Sequence, residues 1–172
     1  MDNLCVKNCS NLPPLIKSNG VSVDEIVEEA VTTLWNQFYL RFEAIEFLGK
    51  RVSVKYPGTQ KESYAHILKL HEKNIGAGTK VYRAKIAPQI IPLIDLYESG
   101  SCKKCLNIWK RKKEDFDFES DRIIAFCPKN LLLIVFAEKG ENKLILITAY
   151  RVDNDYGKKM MKEYKKSKYQ IK

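Results

Sequence analysis

Long apolar runs are missing from this chain: nowhere do the roughly 18 consecutive apolar residues of a membrane-spanning helix occur. The opening residues, MDNLCVKNCSNLPPLIK, lack the basic start and unbroken apolar stretch of a secretory signal, so cytoplasmic residence is expected. Glycine and proline are scarce, 8 and 6 among 172 residues, and the composition excludes disorder and collagen-like architectures. No G-x-S-x-G elbow, Walker loop, dinucleotide fingerprint or HExxH motif is present, which removes the common hydrolase, nucleotide-binding and metalloprotease readings. Cysteines number five, an odd count that forbids complete internal pairing, and free thiols are expected. The spacings Cys5-x3-Cys9 and Cys102-x2-Cys105 leave a four-thiolate zinc site open, with incidental thiols as the plainer reading.

What is present suits one folded domain: 45% of residues are hydrophobic and 30% charged. The net charge of +9 is not spread evenly. Cys102 to Lys113 and Lys158 to Lys172 each carry +6, which leaves the remaining residues at −3. Two basic stretches on a mildly acidic body are the electrostatic footprint of a protein that meets a polyanion.

Along the chain, residues 1–20 show no helical or strand period and contain Pro13-Pro14 and Asn19-Gly20, so an extended leader is expected. Residues 21–172 read as a single domain whose basic tail is 158–172. Ser22 and Glu25 have capping-box spacing, and an apolar stripe from Val23 through Phe42 to Ile45 predicts a long helix ending near Leu48-Gly49. Arg51 to Tyr56 alternates as a strand and stops at Pro57-Gly58. A second helix is predicted over Glu62 to Lys73, with His66 and His71 about 140° apart around it, which speaks against a helical two-histidine metal site. Residues 75–78 read as a loop, and a short helix is expected to begin near Pro92. Strands follow at Leu106 to Lys112, Arg122 to Phe126, Leu131 to Ala137 and Leu144 to Val152, with connectors short enough for antiparallel pairing. A basic helix over Lys158 to Lys168 would close the chain. Helices first, then an antiparallel meander of about four strands and a C-terminal basic helix, predict an α+β fold.

The stretches FLGKRV (47–52), KESYAHI (61–67), RAK (83–85), PLID (92–95), Trp109, LITAY (146–150) and KEY (162–164) occur in an order that resembles phage-related proteins of the barnase/EndoU/colicin/RelE-like (BECR) ribonuclease class. The resemblance covers about residues 47–165. At Lys85, Ile86 and Gln89 the chain departs from the acid, base and aromatic of that pattern. What the resemblance implies is RNA cleavage without a metal or other cofactor: the ribose 2′-OH attacks the adjacent phosphate, leaving a 2′,3′-cyclic phosphate and a free 5′-OH. It also implies RNA as partner and, for a toxin-like protein, an antitoxin or immunity protein.

Such chemistry needs a base, an acid, and cations or donors for the phosphorane. His66 suits proton transfer because imidazole titrates near neutrality. Arg83 can grip two phosphoryl oxygens. Thr148 and Tyr150, two apart on a strand, share a face and can orient a phosphate or relay a proton, while Arg151 is expected to point away. Trp109 can stack on a base, with Lys110, Arg111 and Lys112 tracking the backbone. Rival readings are a non-enzymatic RNA- or ribosome-binding protein on the same surface, and a protein whose long N-terminal helix docks an antitoxin or another subunit.

Overall fold

The computed structural model describes residues 12–41, 45–55, 61–101, 106–116 and 118–172. The capping box opens helix α1 (Val23–Leu40): Ser22 Oγ accepts from the Glu25 amide at 3.3 Å, and Glu25 Oε2 accepts from the Ser22 amide at 2.9 Å. Its stripe buries Ile26, Ala30, Val31, Leu34 and Phe38. The helix is shorter than its apolar period suggests. Phe42 lies outside the described residues, and Ile45 is buried but precedes a strand, β1 (Glu46–Phe47). Leu48 and Gly49, with φ of 56° and 68°, turn β1 directly into β2 (Lys50–Val54). Two consecutive left-handed residues are what a tight hairpin with right-handed strand twist requires, so this Leu-Gly pair is a hairpin turn rather than a helix stop. The expected strand end at Tyr56 and the turn at Pro57-Gly58 lie outside the described residues.

Helix α2 (Lys61–Ile67) stops six residues before the expected Lys73. Lys69 adopts φ 57°, the Lys69 amide donates to the His66 carbonyl at 3.0 Å, and the Leu70 amide donates to the Ala65 carbonyl at 2.9 Å. That is a Schellman termination, with Ala65 and Leu70 both buried as its apolar contact. Gly76 then caps helix α3 (Ala77–Ala84), so part of the expected 75–78 loop is helical. Helix α4 (Ala87–Glu98) starts at Ala87, and Pro92 lies inside it rather than at its start. A proline there leaves the carbonyl four residues back without its amide donor. That carbonyl belongs to Pro88, and Gln37 Nε2 of α1 donates to it at 3.1 Å. A side chain 51 residues away thus makes the interior proline tolerable.

The remaining elements are β3 (Asn107–Arg111), a single turn α5 (Lys113–Phe116), β4 (Arg122–Cys127), β5 (Leu132–Glu138), β6 (Lys143–Arg151), α6 (Asn154–Lys166) and β7 (Gln170–Ile171). The fold is mixed α+β, with one seven-stranded sheet in the order β1-β2-β6-β5-β4-β3-β7. β3 to β6 pair with their chain neighbours in antiparallel fashion. The sheet extends beyond that meander at both sides: β2 joins β6 in parallel, Val52 opposite Leu144, and β7 joins β3.

Alternation along the strands divides the interior in two. Ile108, Ile123, Ala125, Ile134 and Phe136 join the larger core with α1, α2 and α4. Trp109, Ile124, Phe126 and Leu133 join a smaller core with Met160 of α6. On β6, Leu146 faces Phe136 while Thr148 faces Val135, so Ile147 is an extra residue that shifts the pleat. Ala149 then belongs to the larger core, whereas Tyr150 and Val152 belong to the smaller one. Gly157 lets α6 lie close to the sheet, since a Cβ there would sit 2.9 Å from Leu131 Cδ2.

The described part of the expected leader, residues 12–20, and the basic tail are more anchored than their composition suggests. In the expected leader, Leu12 and Ile16 are buried, the Ile16 amide donates to the Lys85 carbonyl, and Gln89 Nε2 donates to the Pro13 carbonyl. In the basic tail, Asp153 caps α6 by accepting from the Tyr156 amide, and β7 fixes the final residues to the sheet.

Candidate functional site

The turn that ends α2 also builds a site. With Lys69 left-handed, the chain doubles back and presents the Lys69 carbonyl and the Glu72 carboxylate to α3. Arg83, in the last turn of α3 where a cation suits the helix dipole, donates through Nη1 to both, at 2.8 Å and 2.5 Å. The hydrogen bond from Arg83 holds the Glu72 carboxyl below the usual range. The Arg83 guanidinium carbon lies 4.8 Å from the centre of the Tyr150 ring on β6.

A second contact mirrors the first. Arg151, the residue after Tyr150, places its guanidinium carbon 4.6 Å from the ring centre of Tyr82, the residue before Arg83. Two Tyr-Arg dipeptides, one on α3 and one on β6, therefore cross, each arginine lying over the other's tyrosine. Tyr82 also donates its hydroxyl to the Val152 carbonyl at 3.0 Å, tying α3 to the end of β6. A cavity of about 320 Å³ opens beside the crossed pair, lined by all four of these residues with Thr79, Asp153 and Tyr156.

The electrostatics of this cavity are unbalanced. Arg83 has Glu72, but no described carboxylate lies within ion-pair distance of Arg151, and its Nε is buried with no hydrogen-bond partner among the described residues. Glu72 is taken up by Arg83, and Asp153, the carboxylate that lines the cavity, accepts from the Tyr156 amide as a helix cap rather than pairing with Arg151. Burial pushes the Tyr150 hydroxyl up and outweighs the opposing charge of Arg83, so Tyr150 stays a proton-bearing donor at neutral pH. The cavity offers cationic and hydroxyl donors to an anion of phosphate size.

No family model, curated protein or solved structure matches this chain. The site is therefore read from its own geometry. Of the four residues expected to carry chemistry, Arg83 and Tyr150 meet in the cavity. Thr148 is 6% exposed, and its Oγ1 donates to the Ile67 carbonyl at 2.7 Å, so it fastens the last turn of α2 to β6 rather than facing the cavity. His66 is exposed on that same last turn and is not among the residues lining the cavity. Its ring centroid is 4.9 Å from that of His71. The two rings come together because α2 ends at Ile67; the separation of about 140° would hold only on a continuous helix. Arg151, expected to point away, lines the cavity instead.

The basic stretch around Trp109 is corrected more strongly. Trp109 is 1% exposed, its Nε1 donates to Glu163 Oε1 at 2.8 Å, and Tyr164 packs on its ring, so it has no face for a base to stack on. Lys110 lies 2.5 Å from Glu138, Arg111 makes a bidentate pair with Glu163 at 2.6 Å for each contact, and Lys112 lies 3.0 Å from Asp121. Each of these cations is already matched by a carboxylate. β3 is also three strands from β6, roughly 14 Å across the sheet, so this stretch does not flank the cavity. Lys103 and Lys104 lie outside the described residues, as do the four cysteines of the proposed zinc set, Cys5, Cys9, Cys102 and Cys105. Cys127 is buried.

Glu72, Tyr82 and Tyr156 join the site without having been singled out from the sequence, and Arg151 joins it against expectation. A signal for two of them was there: Tyr-Arg occurs at 82–83 and again at 150–151.

Proposed function

We propose that the crossed Tyr-Arg cavity binds a phosphate of RNA, and that the chain is a metal-independent ribonuclease resembling the BECR class, phage-associated or toxin-like. The observation that carries this reading is Arg151, which lines an anion-sized cavity beside Arg83 with no described carboxylate in ion-pair distance and its Nε buried without a described partner. In this reading the two guanidinium groups hold the non-bridging phosphoryl oxygens, and Tyr150 donates to the charge that grows on them. The ribose 2′ oxygen forms its bond to phosphorus as the bond to the 5′ oxygen breaks. A base takes the 2′ proton and an acid returns one to the 5′ oxygen; His66, His71 and the Glu72 carboxylate stand on the turn that holds Arg83 and supply both roles. Thr148 acts as a positioning residue through the Ile67 carbonyl.

A second reading has its own support. Arg83 is already engaged by Glu72, and His66 stands outside the cavity lining. Both facts suit a non-cleaving RNA- or ribosome-binding protein using the same phosphate site. Incubating the purified protein with total RNA in excess chelator separates the two. New 2′,3′-cyclic phosphate ends that disappear in His66→Ala support cleavage; intact RNA that is nevertheless bound in a salt-sensitive manner supports the second reading. RNA neither cut nor bound excludes both and directs the search to a protein partner such as an antitoxin.

A further inference from the structure

With the β3 cations spent on carboxylates, the densest run of lysines without a described carboxylate partner lies on α6. Lys158, Lys162, Lys165 and Lys166 stand at i, i+4, i+7 and i+8, the spacing of one helical face. All four are exposed. Lys158 has only an exposed contact with Asp155 at 3.2 Å, and no described carboxylate pairs with the other three. Like charges one turn apart disfavour the helix, so the stripe is a standing repulsion that a bound polyanion would relieve.

The four lysines form the wall of an open groove of about 730 Å³, with Leu131 and Met161 on its floor. A cationic wall over an apolar floor fits a single nucleic-acid strand, phosphates on the lysines and bases against the floor. The groove is placed to feed the cavity. Asn154 and Gly157 line the groove, whereas Asp153, the N-cap of α6, and Tyr156 in its first turn line the cavity. Lys158 to Lys166 extends the track by about 12 Å along the helix.

We propose that single-stranded RNA runs along this lysine groove of α6 and enters the crossed Tyr-Arg cavity at the helix N-terminus. This rests on the phosphate reading of the cavity and adds the path of the strand. It differs from the sequence expectation, in which Lys110, Arg111 and Lys112 of the β3 stretch tracked the RNA backbone.

The test is fluorescence anisotropy with a short, labelled 2′-O-methyl oligouridine, whose blocked 2′ oxygen keeps binding separate from cleavage. The protein carries Lys162→Gln, Lys165→Gln and Lys166→Gln together, with helix content followed by circular dichroism. A control with Lys73→Gln, Lys139→Gln and Lys143→Gln removes the same charge elsewhere. Between about 50 and 200 mM salt, losing three phosphate contacts flattens the log–log salt dependence by about 2, and affinity near physiological salt falls about tenfold. The control keeps the wild-type slope, and cleavage of a ribodinucleotide, too short to span the track, is unchanged in the groove variant. Equal loss in both variants, or no loss in the groove variant, overturns the path. Tighter binding to phosphatidylserine vesicles or to a polyglutamate peptide than to the oligonucleotide also overturns it, assigning the groove to a membrane or an acidic protein. A wild type that binds the oligonucleotide through the groove but leaves every RNA uncut supports the path and refutes cleavage alone.

Discussion

Removing the Glu163 carboxylate tests whether the β3 cations are structural. Glu163 of α6 accepts from Arg111 Nε and Nη2 and from Trp109 Nε1. Its side chain is 28% exposed and that of Arg111 19%, so the group is partly screened. Breaking a fully buried pair costs about 3–5 kcal/mol, and an orphaned buried donor about 1–3 kcal/mol. Discounted for partial exposure, Glu163→Ala should cost about 3 kcal/mol. In urea this lowers the unfolding midpoint by about 1 M or more at unchanged slope. Replacing both partners, Glu163→Leu with Arg111→Met, should recover most of that loss, leaving the Trp109 N–H deficit of about 1 kcal/mol. The effect is pH-dependent. Burial opposes ionisation, but the hydrogen bonds from Arg111 and Trp109 outweigh it and hold the carboxyl below its ordinary 4.5. A depressed folded value stabilises fully above the ordinary one and is lost as pH falls through the folded value, so wild type and Glu163→Ala converge below about pH 4.5. A midpoint that barely moves, or a double variant less stable than the single one, would refute a structural pair.

Three further outcomes follow from single contacts. Gln37→Met should cost about 1–2 kcal/mol by orphaning the Pro88 carbonyl, and almost nothing in a Pro92→Ala background, where the restored amide supplies the donor; equal costs in both, by denaturation, would refute the compensation. Lys69→Gly should stabilise by about 1 kcal/mol, since glycine adopts the left-handed conformation without a Cβ penalty; a lower melting temperature contradicts it. Thr148→Val should lose about 1 kcal/mol and slow RNA cleavage while leaving oligonucleotide affinity unchanged, because the hydroxyl positions α2 rather than touching RNA; weakened binding would place it in the cavity.

Local signals were readable in the sequence and distant ones were not. The Ser22–Glu25 box lies within one turn, and the apolar runs of β4 to β6 mark themselves as buried strands. Ile45, by contrast, keeps helical spacing with α1 yet is buried beside a hairpin, because burial looks alike from either element. Lysine is no helix-stop signal, so the end of α2 at Ile67, set by the left-handed Lys69, is hidden in the sequence, and with it the turn that joins His66 to His71 and Glu72 to Arg83. Pro92 reads as a helix start unless Gln37 is known to lie against Pro88. Trp109 and its basic neighbours were misread for a related reason: a charge run reports cations, whereas their partners Glu138, Asp121 and Glu163 lie on other elements. Of the residues lining the candidate cavity, Arg83 and Tyr150 are among those the resemblance points to, while Tyr82 and Arg151 join them only through the crossing of α3 with β6.

The central claim is that the crossed Tyr-Arg pair holds the phosphate that reacts. The direct measurement is the rate of 2′,3′-cyclic phosphate formation from a ribodinucleotide in excess chelator, for wild type and Arg151→Gln, with both shown to be folded. Losing one preorganised cationic donor to the phosphorane predicts a fall of about 100-fold or more. An unchanged rate in Arg151→Gln, or no cyclic phosphate from the wild type, would contradict it.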